Sequence, residues 1–188
     1  MKKILLLFLL LAQNTFAQDE AANTKCIRKN SISEKERASY FPFAEASQVK
    51  IISFRDKGDL NEMPGQQLIR HLLSLKMGKD LFNEALYDET AVLTSEQINQ
   101  LSDIIFNFSY TKLPIEDYDV YCYNPRNAIF FLDAENHIIA YIELCFGCNK
   151  YRSSDKRLSL GDYCTEKYDM IKAIFEKSHI VYGISTIK

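Results

Sequence analysis

Glycine is scarce in this chain, with six residues in 188. That shortage argues against the glycine-rich loops that cradle phosphates, which need backbone free to pass close to the ligand. Histidine is scarcer still. His71, His137 and His179 are far apart in sequence, and none carries the neighbours that a metal-binding helix or a catalytic dyad requires. There is no Gly-x-Ser-x-Gly elbow and no His-Glu-x-x-His, so no nucleophile and base of a hydrolase can be named. Basic clusters are missing too. The nearest approach is Lys25, Arg28 and Lys29, which is too small a footprint for nucleic acid or an anionic membrane. No residue pattern implies a cofactor.

Long apolar runs are absent except at the start. Residues 4–12 are continuously apolar, Lys2 and Lys3 precede them, and Thr15-Phe16-Ala17 follows with small residues at −3 and −1. A membrane-spanning helix needs about 20 apolar residues, so residues 1–17 read as a cleaved signal peptide. Cys26 follows Asn23, Thr24 and Lys25, which is no lipid-attachment signal. The expectation is an exported protein, periplasmic or extracellular, with no stable membrane anchor after cleavage. Removing those residues leaves 21 basic against 25 acidic side chains, and a length that suits one domain able to bury about 70% of its unfolded surface.

Residues 18–39 are polar and lack apolar periodicity; they read as an extended or disordered arm whose removal should cost little. A single domain is expected over 40–188. Residues 49–54 suit a first strand. Pro64 can open a helix whose apolar face is Leu68, Ile69, Leu72 and Leu73, with Gly78 as its stop. Leu81, Phe82, Ala85 and Leu86 suggest a second helix. Thr94 with Gln97 forms a capping box, and Ile98, Leu101, Ile104, Ile105 and Phe108 share one face, which predicts a helix over 95–107. Residues 128–132 and 137–146 alternate as strands around the turn residues Asp133 to Asn136, so a long β-hairpin over about 119–146 is expected. The polar stretch 149–155 reads as a loop. A last helix carries Cys164, Tyr168, Ile171, Ile174 and Phe175, capped by Asp162 or Thr165, and 180–184 suits a final strand. Segregated helices and strands favour an α+β fold with an antiparallel sheet and helices mainly on one face.

Pairing Leu132 with His137 across the hairpin puts Cys122 opposite Gly147, between Cys145 and Cys148, and Arg126 opposite Glu143. In an exported chain the plain reading is a structural disulfide from Cys122 to Cys145 or Cys148. The Cys145-Phe146-Gly147-Cys148 motif also admits redox chemistry, although the sequence after it is a poor helix start. A four-thiolate zinc site from Cys122, Cys145, Cys148 and Cys164 would need two close pairs where the chain has one, so no metal is expected. Five cysteines leave an odd one, and Cys26 on the polar arm is the candidate. Tyrosines gather at the hairpin: Tyr118, Tyr121, Tyr123 and Tyr141, with Arg126 and Glu143, make a candidate binding surface. These features favour an exported binding module of accessory, inhibitory or immunity type, with another protein as partner. The alternative is a thiol-disulfide oxidoreductase using Cys145 and Cys148.

Overall fold

The computed structural model describes residues 23–57, 63–112 and 123–184. The signal segment 1–17, Tyr118, Tyr121, Cys122 and most of the turn after Asp56 lie outside the described residues. Among those described, the strands are β1 Cys26–Arg28, β2 Gln48–Ser53, β3 Glu89–Val92, β4 Phe108–Tyr110, β5 Asn127–Leu132, β6 Ile138–Cys145 and β7 Lys150–Ser153. The helices are α1 Glu34–Arg37, α2 Gln66–Ser74, α3 Ser95–Asn107 and α4 Lys167–Lys177. The fold is α+β. An antiparallel five-stranded sheet runs in the order β3-β2-β5-β6-β7, and β1 with β4 forms a small second sheet. No helix among the described residues is long and apolar enough to cross a membrane.

Alternation along the strands decides which face each side chain joins. Val49, Ile51, Ile129, Phe131, Ala140, Ile142 and Leu144 pack with Leu101, Ile104 and Ile105 of α3 and Tyr168, Ile171, Ile174 and Phe175 of α4. The opposite face sends Ile52, Phe130, Leu132 and Tyr141 against Leu68 and Leu72 of α2 and against Phe82. The two longest helices thus share one face, and α2 covers part of the other. That double cover explains why β5 and β6 read as nearly continuous apolar runs.

α3 forms where its local signals place it. Thr94 Oγ1 accepts from the Gln97 N–H at 3.2 Å while Gln97 Oε1 accepts from the Thr94 N–H at 2.9 Å, which satisfies two donors that the first turn cannot pair internally. The second helical pattern fails to become an α-helix. Only a 3₁₀ turn, Glu84–Leu86, forms there, because Asn83 caps it after Phe82 has donated its N–H to the Asn136 carbonyl.

Four other expectations are corrected. From residue 23 the arm is part of the fold: β1 pairs with β4, the Lys29 N–H donates to the Asn107 carbonyl, and the buried Arg37 guanidinium binds Ser102 Oγ, Asn99 Oδ1 and the Ile32 carbonyl. These are polar contacts, and apolar periodicity does not reveal them. Residues 150–153 are the edge strand β7 and not loop. Residues 180–184 form no strand, because the Glu89 carboxylate accepts the N–H groups of Val181 and Tyr182, each at 3.0 Å, and Gly183 turns the chain at φ +80°. The cap of α4 uses neither expected side chain: Thr165 donates to the Thr24 carbonyl and Asp162 accepts from Ser109.

The hairpin register is also displaced. Leu132 pairs with Ile138, one residue beyond the expected partner, and Phe131 with Ala140, so Ile139 is a bulge and every partner past it sits two residues beyond the expected one. A shift of two keeps every side chain on its face. It does change the neighbours: Ala128, not Arg126, lies opposite Glu143.

Lys167 is an unusual core residue, 1% exposed. Its ammonium donates to the Leu160 carbonyl at 2.8 Å. Burial lowers its pKa from 10.5 to about 8, with Asp162 opposing the change. Between these values the folded state has shed a proton that the unfolded chain still holds, so this group's contribution to stability rises with pH across that window. Below it, the charge is buried at a cost in the folded state. Lys167→Met is therefore expected to gain on the native chain at pH 7 and to lose that advantage as pH rises toward 10, as read by urea melts of both proteins.

Candidate functional site

The end of the sheet where β5, β6 and β7 meet brings several of the sequence-selected residues together. Beyond the bulge, the odd positions of β6 share one face, so Tyr141, Glu143 and Cys145 follow one another along it. Tyr141 closes the α2-side core, where burial pushes its hydroxyl pKa upward. Glu143 is 1% exposed. Such a carboxylate needs a cation and hydrogen bonds to remain charged without heavy cost, and it has both. Its Oε1 accepts from Tyr123 Oη at 2.6 Å and from Nε and Nη2 of Arg152 at 3.1 and 3.0 Å. The Arg152 guanidinium also lies over the Tyr123 ring, 5.1 Å from its centre. Burial, then the hydrogen bond to Glu143, raise the Tyr123 pKa, so its proton stays on the phenol.

Arg152 was not among the sequence-selected residues. Arg126, selected as the partner of Glu143, instead lies near Tyr182, 5.6 Å from the ring centre. The signal for it is period two: Lys150 and Arg152 alternate with Tyr151 in a stretch whose polarity reads as loop, and β7 places them opposite Cys145 and Glu143 respectively.

The cysteines depart from expectation most. Cys145 is bonded to Cys148, with Cα atoms 5.7 Å apart, in place of a bond from Cys122 to either residue. Cys26, expected to be the odd thiol, is bonded to Cys164 across 4.9 Å between Cα atoms. That bond takes Cys164 out of any four-thiolate set. The two disulfides differ in what they can contribute. Closing a loop of 138 residues' separation removes enough unfolded-state entropy to be worth up to about 5 kcal/mol, whereas a separation of three yields only about 2 kcal/mol. The second bond also links the end of β6 to the turn before β7, two strands already paired by hydrogen bonds. Cys145 is 2% exposed, Cys148 is half-buried and Gly147 between them is exposed.

Other clusters hold themselves together. Asp133, Glu135 and His137 bring ligand-type atoms within 4.8 Å of one another, but the Asp133 carboxylate already accepts the N–H groups of Glu135 and His137 and lies 3.0 Å from His137 Nδ1. This is the hairpin's own turn chemistry. His71 Nε2 lies 3.0 Å from Tyr87 Oη, and burial lowers its pKa. His179 ends α4 in the left-handed region at φ 63°. An open cleft of about 540 Å³ is lined by Arg37, Asn99, Asp103 and Lys177 among others, and its Arg37 is committed to the structural bonds described above. Comparison with protein-family models, with curated proteins and with solved structures finds no match.

Proposed function

We propose that this chain is an exported protein that acts by binding another protein through the end of the sheet formed by β5, β6 and β7. The observation that carries the reading is the buried Glu143 holding Tyr123 and Arg152 in one fixed arrangement at an edge strand. Tyrosine and arginine are the side chains that most often dominate interface energies, and a contact pair held in place before binding loses less entropy on association. Arg126 and Arg152 bring guanidinium groups to the rings of Tyr182 and Tyr123, which suits an acidic patch on the partner. Export rests on residues 1–17 and on two disulfides, which suit an oxidising compartment, periplasmic or extracellular. The second reading, a thiol-disulfide oxidoreductase, is favoured by the Cys145–Cys148 bond itself.

The test is co-purification from the exported fraction of the native cell, with retained proteins identified by mass and the partner then titrated against variants. Arg126→Glu and Arg152→Gln should each weaken binding by about tenfold or more. Equal binding by both variants, or no retained protein, would remove the proposed surface.

A further inference from the structure

We infer that the Cys145–Cys148 disulfide is an exchangeable bond that reacts with a protein dithiol and is attacked at Cys148. This rests on the second reading and deepens it by naming the attacked sulfur and the class of reductant, and it stands apart from the binding reading because it depends on the position of the bond and not on a contact surface. The bond closes a loop with only two residues inside it, at the junction of strands already held in register, so its structural contribution is small while its chemistry is accessible. Its two sulfurs are unequally placed. Cys148 is half-buried beside exposed Gly147, whereas Cys145 is enclosed in β6. A thiolate must approach along the line of the S–S bond, and the open end of that line is Cys148.

The enclosed sulfur is then the leaving group, and two basic residues hold the register positions beside it. Lys150 is its partner on β7, and Arg126 occupies the same step beyond the end of β5, where its N–H donates to the Leu144 carbonyl at 3.4 Å. At the other disulfide the Glu166 carboxylate accepts the N–H of Cys26 at 2.7 Å and would repel an attacking anion.

The step balances as follows. A thiolate of the dithiol attacks Cys148 Sγ, the Cys145–Cys148 bond breaks, and Cys145 leaves with the electron pair and takes up a proton. The second thiol of the dithiol, as thiolate, attacks the dithiol's own sulfur in the mixed disulfide, and Cys148 leaves as a thiolate and is protonated. The dithiol is oxidised to a disulfide, and Cys145 and Cys148 are reduced by two electrons.

The experiment uses the folded, oxidised chain lacking only residues 1–17, with reduced glutathione as the probe at fixed pH. Samples are quenched with acid and alkylated, and peptides are mapped by mass over time. Cys145 and Cys148 should become alkylated at least about tenfold faster than Cys26 and Cys164. In the Cys145→Ser variant, oxidised glutathione should label Cys148 faster than it labels Cys145 in Cys148→Ser, with Cys122→Ser present in both. Opening of the two disulfides at one rate, or faster labelling of Cys145, would overturn the inference. If a variant does not fold, the rates measured on the native chain decide. No partner protein is in the assay, so failure of the binding reading would leave its result unchanged.

Discussion

Replacing Cys26 and Cys164 together by serine is expected to lower the free energy of unfolding by about 3–5 kcal/mol, whereas the same double change at Cys145 and Cys148 should cost no more than about 2 kcal/mol. The difference follows from loop length, since the two bonds have sequence separations of 138 and 3. It is reinforced by what each bond holds. The Cys26–Cys164 bond ties β1 to the segment that leads into α4, where the Thr165 N–H donates to the Thr24 carbonyl at 2.9 Å and the Cys26 N–H donates to Glu166. Loss of the bond frees a chain end whose remaining anchors are polar and partly exposed. For a domain of this size the loss should lower Tm by about 10 °C. Urea and thermal melts of the two double variants decide the point. Equal losses would mean that β1 stays docked without its covalent link.

The larger loss at Cys26 and Cys164 would also reverse an expectation formed from the amino-acid pattern, under which removing residues 18–30 should cost little. Apolar periodicity detects segments that bury greasy faces, and residues 23–39 hold on by other means. Arg37 is buried through its guanidinium bonds to Ser102 and Asn99, and Asn107 exchanges hydrogen bonds with the backbone of Ile32 in both directions. No local signal in residues 30–37 announces a partner seventy residues away.

Where the determining contacts were local, the pattern was enough. The Thr94–Gln97 capping box and the face from Ile98 to Ile105 give α3 its observed bounds, and the β-branched and aromatic runs give β2, β5 and β6. Register was not legible: Leu132 already pairs one residue past its expected partner, and nothing in His137-Ile138-Ile139 marks which residue will be left unpaired at the bulge. Two residues of displacement moved Arg126 away from Glu143 and left that carboxylate to Arg152. The site was therefore half legible. Tyr123, Glu143, Cys145 and Cys148 were selected and do converge, while Tyr141 belongs to the core and the strand that supplies Arg152 and Lys150 was hidden by its charge. Edge strands carry such charges because unpaired backbone invites further strands, and lysine and arginine discourage them.

Arg152→Ala is expected to destabilise the protein by about 2–3 kcal/mol, less than the 3–5 kcal/mol of a fully buried pair because the Arg152 side chain is 44% exposed. The cost comes chiefly from what remains behind. With the guanidinium gone, the Glu143 carboxylate keeps only the Tyr123 hydroxyl among the three bonds to its Oε1, inside a surrounding that is 1% exposed. A charge in that position is poorly solvated and has no counter-ion. The argument is separable from simple loss of contact area by a double-mutant cycle. In a Glu143→Gln background the charge is absent, so Arg152→Ala should cost under about 1 kcal/mol, and the coupling between the two positions should be at least about 1 kcal/mol. Measured by urea unfolding at neutral pH, additive losses would show that Arg152 merely packs over the Tyr123 ring. A clear coupling would establish the buried carboxylate as the post that fixes Tyr123 and Arg152 in place.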